Sequence, residues 1–186
     1  MAEEKGRPLA VSNTGPLISA FQSDSLGLVT ALFGAVHTPE ACLTELNQHG
    51  WGEVVSQVGS NIVGHKLADA EIQQARELAR QIAAHPASKD REPSNHLGEA
   101  EAMVLTQRAE FAEAVLLLDE LAARAVATEL RLTLSGFAGV LLLAVEEGLI
   151  TPEELKERLE RCRQQGTHYS VAFIDQIYRE AKAGEK

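Results

Sequence analysis

Apolar positions along this chain follow two spacings, and the alternation between them outlines an architecture. Short unbroken aliphatic runs, such as "PLAVS" at 8–12 and "AVLLL" at 114–118, read as strands. Between them apolar residues recur every three or four positions, as at Ile72, Ala75, Leu78, Ala79 and Ile82, which predicts amphipathic helices. The first run breaks at Asn13-Thr14-Gly15-Pro16, a turn signal that leads into short helices at about 16–21 and 26–32. A second strand is expected near 35–37, followed by a helix that Thr38 caps, with Pro39 in its first turn and Gly50 past its end. "VVSQVGSNIVGHKL" is rich in β-branched residues and punctuated by glycine, so it predicts a third short strand or an extended connector.

A helix over 68–85 and the polar loop "PASKDREPSNHLG" come next, and from Gly98 a helix is expected to run through Phe111. The strand at 114–118 leads to a helix over about 120–130, a short strand at 132–134 and a helix opened by Gly136. Thr151-Pro152-Glu153-Glu154 is a strong helix start, with acids in the first turn, and that helix reaches about Gln165. A last helix runs from near Ser170 to before Gly184. Strands alternating with helices predict an α/β fold in which helices cover both faces of a parallel sheet. No repeat, low-complexity segment or linker interrupts the pattern, so one domain is expected over 1–186.

In such folds ligands bind beyond the carboxyl ends of the strands. The first strand ends at Ser12-Asn13-Thr14, and the strand at 114–118 runs into Asp119. Glu45 lies about two turns into the helix after the second strand, and Glu99 and Glu101 begin the helix after the polar loop. Asn13, Glu45, Glu99 and Asp119 thus form a candidate oxygen-rich cluster, a donor set suited to Mg²⁺ or Mn²⁺. Spacing alone leaves plainer roles open. Asp119 reads equally as a helix N-cap, Asn13 as a turn former, Glu45 as a solvated rim residue and Glu99 as a partner of the helix dipole. Glu101 points about 200° away from Glu99 around a helix, so the two do not face one ion equally. Glu120 reads as support for the first turn of its helix, and His96 as a loop residue. No phosphate-binding glycine loop, dinucleotide fingerprint, Ser–His–Asp or Cys–His pattern stands out.

Composition narrows this further. Apolar residues at 45% and charged residues at 24% are ordinary for a soluble globular chain of 186 residues. A net charge of −10 argues against a basic coat that grips nucleic acid everywhere, while leaving room for a local basic groove. Candidates for such a rim are Arg76, Arg80, Lys89, Arg91, Arg124 and Arg131, which read equally as ordinary helix charges. No apolar run is long enough to span a membrane and the start lacks a signal-peptide core, so a cytoplasmic protein is expected. Cys42 and Cys162 read as buried thiols rather than a disulfide or zinc site.

Four motifs carry a resemblance. "VSNTGPLISA" resembles the opening of a branch of PIN-domain proteins whose first strand ends in serine, Asp or Asn, and Thr, followed by Pro-Leu-Ile. "HTPEACLTEL" is similar to the segment carrying that branch's first helical Glu, and "LGEAEAMVL" to its Gly-Glu-Ala-Glu-Ala helix start. "LLLDELAARAVATELRLTLSGFAGVLLLAVEEGLI" resembles the stretch that closes the site and finishes the sheet. Their order and spacing match over about 9–150, leaving C-terminal helices at about 151–183. The resemblance implies a three-layer α/β/α PIN-like fold with a central parallel sheet. It implies a Mg²⁺- or Mn²⁺-dependent ribonuclease, VapC-like, acting as the toxin of a toxin–antitoxin pair.

By motif, Asn13, Glu45, Glu99 and Asp119 match the four acidic positions, with Glu101 as runner-up at the third. Thr14 matches the small hydroxyl residue beside the first ligand, and Arg124 is placed to pair with an acid or touch a phosphate. Asn13 stands where the better-studied nucleases have Asp, which removes one negative charge from the site. The expected partners are an RNA substrate, a cognate antitoxin and a second copy in a homodimer, with the surface of the helices around 26–46 a candidate contact. The alternative expectation is a PIN-like protein-binding module with weak or no turnover; a small-molecule phosphatase on a similar scaffold is a third reading.

Overall fold

The computed structural model describes residues 6–58 and 61–184. Among them, five short strands form one parallel sheet in the order β3-β2-β1-β4-β5. These are β1 (Ala10–Ser12), β2 (Val36–Pro39), β3 (Ile62–His65), β4 (Val115–Leu117) and β5 (Leu134–Ser135). Between β1 and β2 lie α1 (Thr14–Gln22) and α2 (Leu26–Leu32), and between β2 and β3 lie α3 (Glu40–Gln48) and α4 (Gly52–Val58). α5 (Asp69–Ala84) and α6 (Leu97–Thr106) connect β3 to β4, and α7 (Leu121–Glu129) connects β4 to β5. The chain finishes with α8 (Phe137–Glu146), α9 (Pro152–Gln164) and α10 (Val171–Gly184).

Side chains alternate across the strands, and each face feeds its own core. Ala10, Val36 and Leu117 pack with α1, α2, α8, α9 and α10 on one side. Val11, Leu116 and Leu118 pack with α5, α6 and α7 on the other. The result is the expected three-layer α/β/α fold, PIN-like in its strand order, with the sheet central and buried on both faces.

Several elements differ from the sequence expectation for physical reasons. Thr38 does not cap a helix: β2 continues to Pro39, whose backbone opens α3, and Thr38 is buried with its hydroxyl donating to the Ser12 carbonyl at 2.8 Å. The stretch 52–58 is helical although its composition is β-branched, because Trp51 anchors it by stacking on Phe21 at 5.3 Å between ring centres. The third strand does form after it, at 62–65. The helix begun near Gly98 stops at Thr106 rather than Phe111. There Arg108 is held by Glu71 at 2.8 and 2.9 Å and by the Lys66 carbonyl, and a single 3-10 turn spans Ala109–Phe111. α2 matches its expected span, and Thr151 and Glu154 make the reciprocal cap that opens α9. Cys42 and Cys162 are buried free thiols. No helix among the described residues is long and apolar enough to cross a membrane.

Candidate active site at the carboxyl edge of the sheet

Because all five strands run the same way, the loops after them converge on one edge. Ser12 pairs in register with Leu117, so Asn13 stands level with Leu118, one residue short of Asp119 on the neighbouring strand. Asn13 opens α1 through its backbone, yet its side chain makes no capping bond. Its Oδ1 is buried and has no hydrogen-bond partner. A buried acceptor unpaired within the protein costs about 1–3 kcal/mol, so this oxygen is a donor atom suited to a ligand or ion.

Next along the chain, the Thr14 hydroxyl donates to Glu45 Oε2 at 2.5 Å, binding the start of α1 to α3. Glu45 is otherwise exposed, with His49 Nε2 3.7 Å from its other oxygen. It lies against the start of α6, where a side-chain carbon at Gly98 would sit 3.9 Å from Glu45 Oε2 and 3.7 Å from Cys42 Sγ. Glu99 follows at once. Burial raises its pKa, its own backbone amide and His96 pull it back, and Glu120 and Glu45 raise it further. Glu99 therefore lies in the field of both Glu45 and Glu120. Glu101 is half-buried, and its pKa is raised by burial alone. It acts on Cys42, whose thiol is pushed up to about 11 chiefly by burial, with Glu45 and Glu101 contributing. Of the two α6 acids, Glu99 is the one in the field of the other site carboxylates.

Asp119 is held differently. Its Oδ1 accepts the Phe137 backbone N–H at 2.8 Å, and its Oδ2 lies 3.5 Å from the Tyr169 hydroxyl, which donates to it. Burial raises its pKa, while the Phe137 amide, Arg124 and Tyr169 oppose that rise. Arg124 Nη1 donates to the Leu118 carbonyl at 2.7 Å, so the guanidinium is anchored beside the carboxylate. Gly136 makes this packing possible: a side-chain carbon there would come within 2.6 Å of Asp119 Oδ1.

The structure thus brings Asn13, Thr14, Glu45, Glu99 and Asp119 to one edge, with Asp119 bonded toward α8 and the 165–170 connector. Among the described residues no three His, Cys, Asp or Glu side chains stand close enough to hold one ion as they lie. Arg124 sits at Asp119. Of the other basic candidates, Arg80 pairs with Glu77 at 2.6 Å and Arg91 holds the Ala83 and His85 carbonyls. Arg131 lies in the turn before β5, at the opposite end of that strand from the site.

Three features lay beyond sequence reasoning. Tyr169 is 50 residues from Asp119, and nothing in the local pattern links them. Glu120, expected only to support the first turn, is itself the N-cap of α7 in place of Asp119, accepting the Ala123 N–H at 2.6 Å, and it also bears on Glu99. The unpartnered Asn13 oxygen is a consequence of packing alone.

A family model described as a PIN domain matches residues 9–183. No curated protein and no solved structure matches the chain. PIN domains are generally nucleases. By a match that extends through the C-terminal helices, this chain belongs to the PIN-domain family.

Proposed function

We propose that this protein is a Mg²⁺- or Mn²⁺-dependent ribonuclease, hydrolysing RNA phosphodiesters as the toxin of a toxin–antitoxin pair. The observation that carries the metal site is the buried Asn13 Oδ1 with no partner, on the edge shared by Thr14–Glu45 and Asp119. Its fit to a hard cation rests on the donors: a carboxamide oxygen and the carboxylates of Glu45, Glu99 and Asp119, with Glu101 the runner-up to Glu99. Two of these acids, Glu99 and Asp119, have pKa values raised by burial, the condition that a nearby cation relieves. When bound, the ion supplies charge to clamp a phosphate and to lower the pKa of a bound water.

The chain's own groups supply the rest. Asp119 is held in one orientation by the Phe137 amide, and Arg124 lends positive charge beside it. Thr14 holds Glu45 by its hydroxyl; turning that hydroxyl outward would free Glu45 Oε2 and offer a donor to a phosphate oxygen. Glu45 is half-exposed, so its side chain is not fixed by packing as that of Asp119 is.

The test is cleavage of a mixed RNA pool with Mn²⁺, Mg²⁺ or EDTA, comparing wild type with Asp119→Ala. Cleavage by wild type that EDTA stops and that falls at least about 100-fold in Asp119→Ala supports the assignment. Equal cleavage by both proteins sinks it.

A second reading, a PIN-like protein-binding module with weak or no turnover, is favoured by the neutral Asn13 and by carboxylates that do not converge on one point. Asn13→Asp separates the two. Raised Mn²⁺ affinity with no activity on any RNA supports the binding module; raised affinity with faster cleavage supports the nuclease. The toxin role, the cognate antitoxin and a homodimer rest on the family resemblance, and a cytoplasmic setting on the absence of a signal-peptide core and of a membrane-spanning run in the sequence.

A further inference from the structure

Beside Asp119 the surface opens into a groove of about 540 Å³, a volume typical of small-ligand sites. It lies between the start of α7, the start of α8 and the connector that leads into α10. Asp119 forms one end, and Leu121, Arg124, Leu142, Tyr169 and Phe173 are among its walls. Tyr169 and Phe173 stack on each other, with ring centres 5.5 Å apart and planes 26° from parallel. Leu121, at the groove, is 66% exposed, more than an apolar side chain of its size normally is, and no described residue covers it.

Charge separates this groove from the rest of the molecule. The whole chain carries −10, yet among the groove's walls Asp119 is the one carboxylate, and it is set against Arg124 and His168. The Ser135 and Ser170 hydroxyls add polar edges to apolar walls. Partly buried aromatic rings, polar edges and the Arg124 guanidinium, in a groove whose one carboxylate that guanidinium balances, together suit a nucleobase with its phosphate, the combination by which unstacked single-stranded RNA is held.

We propose that this groove is a base-binding subsite, in which one unpaired base of a single-stranded RNA lies against the Tyr169–Phe173 pair under Leu121. Its flanking phosphate is then directed past Arg124 toward Asp119. This deepens the nuclease reading and rests on it for the bond that is cleaved, but not for the binding itself. It also assigns a role to the C-terminal segment, since Tyr169 and Phe173 both come from the last connector and helix. RNA is thereby selected for lacking structure at that position, because a paired base cannot enter.

The experiment uses an RNA about eight nucleotides long, with 2-aminopurine at successive positions, mixed with the full chain in low salt and EDTA so that binding is read without turnover. The variants are Phe173→Leu, which keeps apolar bulk but removes the ring, and Leu121→Ser, at an exposed position where the fold is not at stake. Thermal melts accompany both. Wild type is expected to quench 2-aminopurine at one position. Phe173→Leu loses that quench and binds about tenfold more weakly, and Leu121→Ser binds several-fold more weakly. Equal quench and affinity in wild type, Phe173→Leu and Leu121→Ser overturn the proposal. So does an absence of quench together with a change of oligomeric state in either groove variant, which makes the groove a contact between copies. Quench without cleavage in Mn²⁺ leaves the groove standing and removes the nuclease reading. Cleavage lost in Asp119→Ala but no quench anywhere does the reverse.

Discussion

Asp119 and Glu45 reach the same edge of the same sheet, yet the fold treats them in opposite ways. Asp119 is packed in: a backbone amide, a tyrosine hydroxyl and an arginine surround it, and Gly136 leaves no spare room beside it. Glu45 projects from an exposed helical surface, held by one threonine hydroxyl, with Gly98 of α6 close beside its Oε2. The difference teaches which part of the site is preorganised. The Asp119 side is enclosed by packing from three segments, whereas the Glu45 side is exposed and tied by a single side-chain bond.

The strongest way to break that contrast is to fill Gly136. In Gly136→Ala the new carbon would collide with Asp119 Oδ1 at 2.6 Å and crowd Arg124 Nη1 at 3.3 Å. The expected result is an RNA cleavage rate lower by about 100-fold and a loss of about 1–3 kcal/mol of stability. Cleavage assays and urea denaturation read both quantities. Unchanged activity would mean that Asp119 is as adaptable as Glu45.

A smaller effect separates the two sides by pH. Burial raises the pKa of Asp119 and of Glu99, so the folded chain holds these protons to higher pH than the unfolded chain does. Their stabilising contribution is complete below the unfolded pKa of about 4 and is lost as pH rises through the folded values. Glu71 has the opposite sign. Paired with Arg108 and lowered to about 2, it contributes fully above its ordinary pKa and loses that contribution as pH falls toward about 2. With EDTA present, the melting temperature of wild type is therefore expected to fall between about pH 4 and neutrality more steeply than that of Asp119→Asn. Parallel profiles for the two proteins would show that burial of Asp119 does not hold its proton.

The smallest effect belongs to Gly98. A methyl group there meets Cys42 Sγ at 3.7 Å and Glu45 Oε2 at 3.9 Å, ordinary contacts, and it sits inside α6. Gly98→Ala is expected to leave activity within about twofold and to raise stability by up to about 0.5–1 kcal/mol through helix propensity. A loss of activity like that of Gly136→Ala would erase the distinction between the two sides.

Much of this was legible in the chain. The runs at 8–12 and 114–118 became β1 and β4, α2 spans its expected residues, and Thr151–Glu154 caps α9. These depend on short-range patterns: continuous aliphatics, a 3.6-residue period and a reciprocal cap within four residues. The failures are equally physical. Residues 52–58 carry strand-like composition but are helical, because Trp51 stacks on a ring from α1. Thr38 reads as a cap but serves a hydrogen bond to a neighbouring strand.

The sequence by itself determined the α/β class, the parallel sheet and the identity of the residues at its carboxyl edge, since strand polarity places whatever follows each strand there. Tertiary structure alone decided what those residues meet. Asn13 Oδ1 loses its partners, Glu99 rather than Glu101 joins the field of Glu45 and Glu120, and Tyr169 returns from the C-terminal segment to Asp119. The reason is range: a helix period or a cap is settled within a few residues. The burial, charge and bonding of a side chain are settled by segments that sequence distance does not bring together.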